Sequence, residues 1–118
     1  MDDRVVAIVD DNIAILDAVK FVLEIWGFKV LTYPSPAVFL DDVAARPACL
    51  IVDQNMPEMT GLELVAELRR NGNTIPVLLT TGLLSSDIVA NAERLRIETV
   101  MEKPAEPEEL LKFLNAHC

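Results

Sequence analysis

Three aspartates stand directly after two apolar runs, and their positions make them candidates for chemistry. Asp10 and Asp11 follow the run Val5–Val9, and Asp53 follows Cys49–Val52. Each run has the length and composition of a buried strand. A carboxylate can attack a phosphoryl group and form an aspartyl phosphate. Three acids held close together repel one another, so they stay ionised only where a cation shares the site.

A threonine and a lysine follow two later apolar runs. Thr81 comes after Pro76–Thr80, and Lys103 comes after Thr99–Glu102. Phosphoryl transfer depends on positioning and on neutralising the charge of the phosphoryl oxygens. We expect a metal ion to neutralise one oxygen, Lys103 a second, and the Thr81 hydroxyl to donate to a third. An all-oxygen metal site without His or Cys favours a hard divalent ion, and Mg²⁺ is the natural choice.

These residues need a framework that gathers distant strand ends, and the periodicity of the chain predicts one. Strand-length apolar runs alternate with stretches in which apolar residues recur at intervals of three and four, the pattern of amphipathic helices. Strands are expected at 5–9, 28–33, 49–52, 76–80 and 99–102. Helices are expected from near Asn12 to Gly27, from about Pro36 to about Ala45, from Leu62 to near Asn71, from Ser85 or Ser86 to about Leu95, and from near Pro107.

Five repeats of strand and helix indicate an α/β fold. Continuous apolar runs are typical of strands buried on both faces, as in a parallel sheet covered by helices. Right-handed crossovers and the chain length favour a doubly wound, flavodoxin-like sheet of five parallel strands in the order 2-1-3-4-5. Ligands bind such sheets beyond the carboxyl ends of the strands, where the strand order reverses. We therefore expect one domain, residues 1–118, with its site at that edge.

Composition excludes several classes of function. The chain has 10 basic and 19 acidic residues, a net charge of −9, which argues against nucleic-acid binding. The sequence has no apolar stretch long enough to predict a membrane span, and residues 1–4 do not begin a signal peptide, so we expect a cytoplasmic protein. Cys49 is expected as a small core residue and Cys118 as an exposed one, with no disulfide framework and no metal-ligand spacing. His117 is the single histidine, which leaves little basis for a His-based site.

Taken together, the strand-end motifs resemble the receiver domain of two-component response regulators over essentially the whole chain. Each motif alone is weak, but all of them in order, each at a strand end, are highly specific. The motifs are Val9-Asp10-Asp11-Asn12, Val52-Asp53-Gln54-Asn55-Met56-Pro57-Glu58-Met59-Thr60-Gly61, Thr81-Gly82 and Glu102-Lys103-Pro104.

The resemblance implies a role for each strand-end residue. It implies that Asp53 takes a phosphoryl group from a phosphohistidine on a partner kinase or phosphotransfer protein. Asp10 and Asp11 would hold Mg²⁺ together with Asp53 and the backbone carbonyl of Asn55. Thr81 would be the switch residue. The Lys103 side chain would contact the phosphoryl group. The Lys103-Pro104 peptide bond would be cis, a form found almost only before proline.

A changed surface would carry the signal. We expect the fourth helix, the fifth strand and the fifth helix to face a downstream effector or a second copy of the chain. Many receivers carry an aromatic residue three positions before the lysine, and Val100 stands there without a ring. Signalling is therefore expected to run through residues 82–86 and the fourth helix, with Leu83 and Leu84 either exposed or packed on the core. Pro57 and Gly61 are typical turn residues.

Three alternatives stay open beside the phosphorylated switch. An aspartyl-phosphate hydrolase would want a second acid two residues after the nucleophile, but Asn55 stands there and cannot act as a general acid. A flavin-binding module would want a Gly/Ser/Thr-rich phosphate loop after the first strand, where this chain has Asp10-Asp11-Asn12. A receiver fold that is never phosphorylated would serve only as an interaction module, and the full set of acids argues against it.

Overall fold

The computed structural model describes residues 4–118, and in this part of the chain strands and helices alternate throughout. The strands are β1 (Val5–Val9), β2 (Lys29–Tyr33), β3 (Cys49–Asp53), β4 (Val77–Thr81) and β5 (Thr99–Glu102). The helices are α1 (Ile13–Ile25), α2 (Pro36–Asp41), α3 (Gly61–Arg70), α4 (Ser86–Arg94) and α5 (Pro107–His117). The predicted domain range includes residues 1–3, which lie outside the described part. Across residues 4–118, no helix combines the length and apolar character needed to cross a bilayer.

All strand pairs are parallel, and the strand order is β2-β1-β3-β4-β5, which confirms the predicted fold. The pairing register brings the carboxyl ends of neighbouring strands to one level. Val9 pairs with Val52, Asp53 pairs with Thr80, and Thr81 pairs with Glu102. Residues that follow these positions therefore emerge together at one edge of the sheet.

Two apolar layers cover the sheet and explain the continuous apolar runs of its strands. Successive strand residues point to opposite faces, so a strand buried on both sides needs apolar residues throughout. In β1, Ala7 and Val9 pack with residues of α2, α3 and α4, whereas Val6 and Ile8 pack with residues of α1 and α5. The helices supply buried residues such as Leu64, Leu68 and Ala92 on the first face and Leu16, Leu23, Leu110 and Phe113 on the second.

The helix ends follow local capping rules. The Asn12 side chain accepts a hydrogen bond from the Ile15 N–H and caps α1. Ser85, rather than Ser86, caps α4. Helix α2 ends at Asp41, four residues before the predicted end at Ala45.

The early end of α2 coincides with a contact to the sheet. Asp42 leaves helical geometry with ψ of 70°, and its carboxylate accepts a hydrogen bond of 2.7 Å from the Tyr33 hydroxyl on β2. The helix pattern of the sequence did not reveal this contact, because it joins residues on two different elements.

Cys49 is buried in the core, as predicted. The predictions that the two cysteines form no disulfide and that Cys118 is exposed are wrong, because Cys118 is half-buried and paired. Cys49 at the start of β3 and Cys118 after α5 form a disulfide, with their Cα atoms 5.3 Å apart. This Cα distance lies within the range that a disulfide can bridge. Helix α5 starts at the carboxyl edge and returns to the opposite edge of the sheet, which places Cys118 beside the first residue of β3. The prediction failed because the pair is separated by 69 positions along the chain.

Candidate functional site

An acidic cluster lies at the carboxyl edge of β1 and β3. Asp10 and Asp53 are each 3% exposed, whereas Asp11 is exposed. One carboxylate oxygen from each of these three residues lies within 4.8 Å of the others. Oxygen atoms at this spacing fit a hard divalent cation, and the donor set includes no nitrogen or sulfur. The cluster could therefore bind a metal ion.

Lys103 brings a positive charge to this cluster from the end of β5. Its Nζ atom lies 3.1 Å from Asp53 Oδ2 and 3.3 Å from Asp10 Oδ2. Its backbone N–H donates to the Thr81 carbonyl oxygen at 2.8 Å and so fixes the lysine next to the end of β4. The Lys103-Pro104 peptide bond is cis, which confirms the prediction for Pro104.

Burial and mutual attraction shift the pKa values of Asp53 and Lys103. Burial raises the pKa of the Asp53 carboxyl, and the hydrogen bonds from the Asn55 N–H and Lys103 only partly oppose this shift. Burial lowers the pKa of Lys103, but hydrogen bonds and charge attraction from Asp53 and Asp10 outweigh it, so the net shift is upward. Lys103 therefore stays a cation and helps to keep the Asp53 carboxylate ionised.

Asn55 links Asp53 to the end of β4. Its backbone N–H donates to Asp53 Oδ1 at 3.3 Å, and its side-chain Oδ1 accepts the Gly82 N–H at 3.1 Å. The Thr81 hydroxyl is buried and lies 3.2 Å from the Leu83 carbonyl oxygen and 3.5 Å from Asn55 Oδ1. Sequence reasoning gave a binding role only to the backbone carbonyl of Asn55 and missed the hydrogen bond of its side chain. The available signal was an amide two residues after Asp53.

Gly61 and Pro57 shape the loop between β3 and α3. A Cβ atom on Gly61 would lie 2.7 Å from the Asp53 carbonyl oxygen and 2.7 Å from Leu79 Cδ1, so only glycine fits without movement. The Pro57 carbonyl oxygen accepts the Met59 N–H at 2.8 Å, and Glu58 between them has φ of 73°. The predicted turn is present, and its glycine is required by the backbone of the candidate phosphoacceptor.

A comparison with known families identifies the family of the chain. A sequence profile described as response regulator receiver domain matches residues 6–115. The chain belongs to this family. The resemblance to the receiver domain of two-component response regulators is thus confirmed.

Related proteins match the receiver domain along nearly its full length. The response regulator protein TodT of Pseudomonas putida is 34% identical over 98% of this chain, and the match covers 52% of TodT. The transcriptional regulatory protein FixJ of Azorhizobium caulinodans is 31% identical over 94% of this chain and 53% of FixJ. The chain therefore spans about half the length of the curated relatives it matches.

Solved structures share the fold of this receiver domain. The crystal structure of FixJ-N matches with a TM-score of 0.87 at 29% identity, covering 98% of this chain and 93% of that one. The chemotaxis protein CheY4 of Vibrio cholerae matches with a TM-score of 0.89 at 30% identity, covering 99% and 100% of the two chains.

Two further side chains of this receiver domain hold the loops around the site, and sequence reasoning missed both. The Gln54 side-chain oxygen accepts the Leu62 N–H at 2.8 Å and ties β3 to the start of α3. Glu102 accepts the Leu84 N–H at 3.2 Å and ties β5 to the loop after β4. Both are polar residues at strand ends, which is visible in the sequence, but the sequence does not identify their hydrogen-bond partners.

The loop of residues 82–85, called here the β4–α4 loop, presents apolar side chains to solvent. Leu83 is 75% exposed and Leu84 is 41% exposed, so they do not pack into the core. Val100 is half-buried against the apolar layer beside α2, α3 and α4. A valine there offers no ring that could swing between an inward and an outward position.

An apolar cavity of about 540 Å³ adjoins the acidic cluster between α1 and α5. Ile15, Val19 and Val22 of α1 line one side, and Ala105 and Leu110 line the other. Asp10, Asp53 and Lys103 also line this cavity, so the apolar surface of α1 continues to the acidic cluster.

Proposed function

We propose that this receiver domain is a phosphorylation-activated signalling switch in which Asp53 accepts a phosphoryl group from a phosphohistidine. The donor would be a histidine kinase or a phosphotransfer protein. The observation that carries the proposal is the position of Lys103, whose Nζ contacts Asp53 and Asp10 at 3.1 and 3.3 Å within the three-acid cluster. A cation paired with a buried carboxylate is the arrangement that transfer to Asp53 needs.

The transfer is a displacement at phosphorus. An Asp53 carboxylate oxygen attacks the phosphorus, the bond from phosphorus to the imidazole nitrogen breaks, and its electron pair stays with the ring. The product is an acyl phosphate on Asp53. Lys103 and the Asn55 N–H contact the Asp53 carboxylate and stabilise its negative charge. The buried position of Asp53 limits its hydration and so keeps the nucleophile free to react.

Asp10, Asp11, Asp53 and the backbone carbonyl of Asn55 would hold Mg²⁺. The ion would supply positive charge that offsets the repulsion between the acids and the charge of the phosphoryl group. The oxygen-only cluster supports this choice of ion. In this role the domain assists its own phosphorylation and dephosphorylation and does not turn over a separate substrate as an enzyme does.

Phosphorylation would change the surface that surrounds the β4–α4 loop. The phosphoryl group adds negative charge and acceptor oxygens next to Thr81, which we expect to turn toward it. Because Val100 provides no moving ring, the change would pass through the β4–α4 loop and α4. Exposed Leu83 and Val89 support an interaction surface there. Its partner would be an effector or a second copy of the chain bound through α4, β5 and α5.

The proposal extends to the donor, the compartment and the extent of the domain. The apolar cavity beside α1 supports docking of the phosphodonor protein next to Asp53. The charge of −9 supports a domain that does not itself bind nucleic acid. We propose that residues 1–118 act as one receiver domain and that it works in the cytoplasm without contact to a membrane.

An intact-mass experiment tests the proposed function. The protein is incubated with acetyl phosphate and Mg²⁺, and we expect one added phosphoryl group. The Asp53→Asn variant should show no adduct, and the matched variant Asp17→Asn, which makes the same change on the exposed side of α1, should be modified like the wild type. A phosphoryl adduct on Asp53→Asn would refute the proposal. It would also be refuted if the wild type gained no adduct from acetyl phosphate and none from a histidine kinase.

A further inference from the structure

The β4–α4 loop is held by side chains from the strands on either side. On one side, Asn55 Oδ1 accepts the Gly82 N–H at 3.1 Å. On the other side, Glu102 Oε2 accepts the Leu84 N–H at 3.2 Å. The two contacts hold the same short loop, but only the first comes from a residue that also touches Asp53.

Asn55 joins the candidate phosphoacceptor and the loop through two different groups. Its backbone N–H donates to Asp53 Oδ1, and its side chain faces Gly82. A backbone N–H is only a donor, so the carboxamide atom that meets Gly82 is the oxygen. The Thr81 hydroxyl lies 3.5 Å from the same oxygen and 3.2 Å from the Leu83 carbonyl oxygen, and its single hydrogen can point to either acceptor. One neutral oxygen thus faces both donors at the end of β4.

The Thr81 hydroxyl and the Gly82 N–H lie just beyond the level of Asp53 at the end of β4. Thr80 pairs with Asp53 in the sheet, so Thr81 and Gly82 are the next two residues beyond it. A phosphoryl group on Asp53 would bring three acceptor oxygens with negative charge to this edge. Charged acceptors form hydrogen bonds roughly twice as strong as neutral ones, so the phosphoryl group outcompetes an amide for the same donor.

We propose that the Asn55 carboxamide oxygen is a resting-state substitute for a phosphoryl oxygen, which occupies the Gly82 N–H and restrains Thr81 until Asp53 is phosphorylated. The inference rests on the proposed function, because it names what restrains the switch at that site. Asn55 is a positioning residue in this role. It sets how much free energy phosphorylation must supply before the β4–α4 loop can rearrange.

The size of the effect follows from one neutral hydrogen bond. Such a bond shifts the equilibrium between the resting and rearranged loop by about fivefold, which is about 1 kcal/mol. A ligand that binds only the rearranged state binds more tightly by the same factor when the resting state predominates. Loss of the Asn55 side chain should therefore favour the rearranged state even before phosphorylation.

The first measurement uses the metal-free protein without a phosphodonor, so it does not depend on phosphorylation. Solvent-exchange NMR compares the Gly82 and Leu84 amides in wild type, Asn55→Ala and Glu102→Ala. We expect Asn55→Ala to speed exchange at Gly82 about fivefold and leave Leu84 unchanged, and Glu102→Ala to do the reverse. Asn55→Asp retains an acceptor oxygen and should restore slow exchange at Gly82. Unchanged Gly82 exchange in Asn55→Ala would overturn the inference.

The second measurement tests the competition with the phosphoryl group. Beryllofluoride with Mg²⁺ serves as the phosphoryl mimic, and its affinity is measured by titration. We expect Asn55→Ala to bind it about fivefold more tightly than the wild type, with Glu102→Ala within twofold of the wild type. Equal or weaker binding by Asn55→Ala overturns the inference, as does an equal gain in Glu102→Ala, which would mean general loosening of the loop.

The two measurements separate failure of the inference from failure of the proposed function. If the wild type does not bind beryllofluoride, the proposed function is wrong, and so is the proposed competition between Asn55 and the phosphoryl group. The amide exchange still reports whether Asn55 holds the Gly82 N–H. If the wild type binds and Asn55→Ala shows no gain, only the inference falls.

Discussion

Substitution of Gly61 by alanine should damage both stability and the site, because a methyl group there has no room. The new Cβ would lie 2.7 Å from the Asp53 carbonyl oxygen and 2.7 Å from Leu79 Cδ1, closer than nonbonded atoms normally approach. One of these atoms belongs to the backbone of the candidate phosphoacceptor, so the clash cannot be relieved by turning a flexible side chain. Relief requires a shift of the loop or of the end of β3.

The expected cost is that of overpacking a well-packed core, about 1–3 kcal/mol. The better helix propensity of alanine offsets at most about 1 kcal/mol of this at the first residue of α3. Urea unfolding should therefore give a lower free energy of unfolding, with the melting temperature lowered by several degrees at about 4 °C per kcal/mol. Phosphorylation by acetyl phosphate should also slow, because the Asp53 backbone has moved.

Gly82→Ala is the matched control. A Cβ on Gly82 would meet only Asn55 Oδ1 at 3.8 Å, an ordinary contact distance. Its free energy of unfolding should stay within about 0.5 kcal/mol of the wild type or rise slightly. Equal stability of Gly61→Ala and Gly82→Ala would refute the steric reasoning and show that the loop before α3 yields without cost.

Three further predictions test other parts of the structure. Lys103→Met removes a charge-assisted hydrogen bond to Asp53, so the rate of phosphorylation by acetyl phosphate should fall at least about tenfold; an unchanged rate would remove Lys103 from the site. Tyr33 is the single tyrosine, and burial and its acidic partner raise its pKa to about 12. The contribution of Tyr33 to the free energy of unfolding should be complete below the ordinary pKa of about 10 and be lost as the pH rises through about 12. Absorbance at 295 nm would follow the ionisation of Tyr33, and urea unfolding would follow the stability. The Tyr33→Phe variant should not show this loss. Reduction of the disulfide, or Cys118→Ser, should lower the free energy of unfolding by about 2–4 kcal/mol, because the bond closes a long loop in the unfolded chain; unfolding curves that coincide with and without reductant would contradict this.

Much of the fold could be predicted because its signals are local. The run Val5–Val9 and the helix bounded by Asn12 and Gly27 are each encoded within a few residues by apolar period and capping. The strand order followed from topology rules that hold for any chain of alternating strands and helices. Helix α2 was predicted too long, and its end coincides with the contact between Asp42 and Tyr33 on a different element.

The candidate site was predictable in its residue types and only partly in its contacts. Asp10, Asp53 and Lys103 could be placed at one edge because parallel strands end at one edge. The roles of Asn55 and Glu102 in holding the β4–α4 loop could not, because polar residues at strand ends have many possible partners. Which partner each one meets depends on the pairing register and on the path of the loops.

The sequence by itself determined which chemical groups this receiver domain brings to the edge of its sheet: three carboxylates, a lysine and a threonine, each at or just after the end of a strand. Only the tertiary structure decided how they meet. Asn55 reaches Gly82 over 27 positions, Cys49 reaches Cys118 over 69, and Asp10 reaches Lys103 over 93. The physical reason is range: apolar period and capping act within one or two turns of chain, whereas these contacts exist only after all the crossovers have closed.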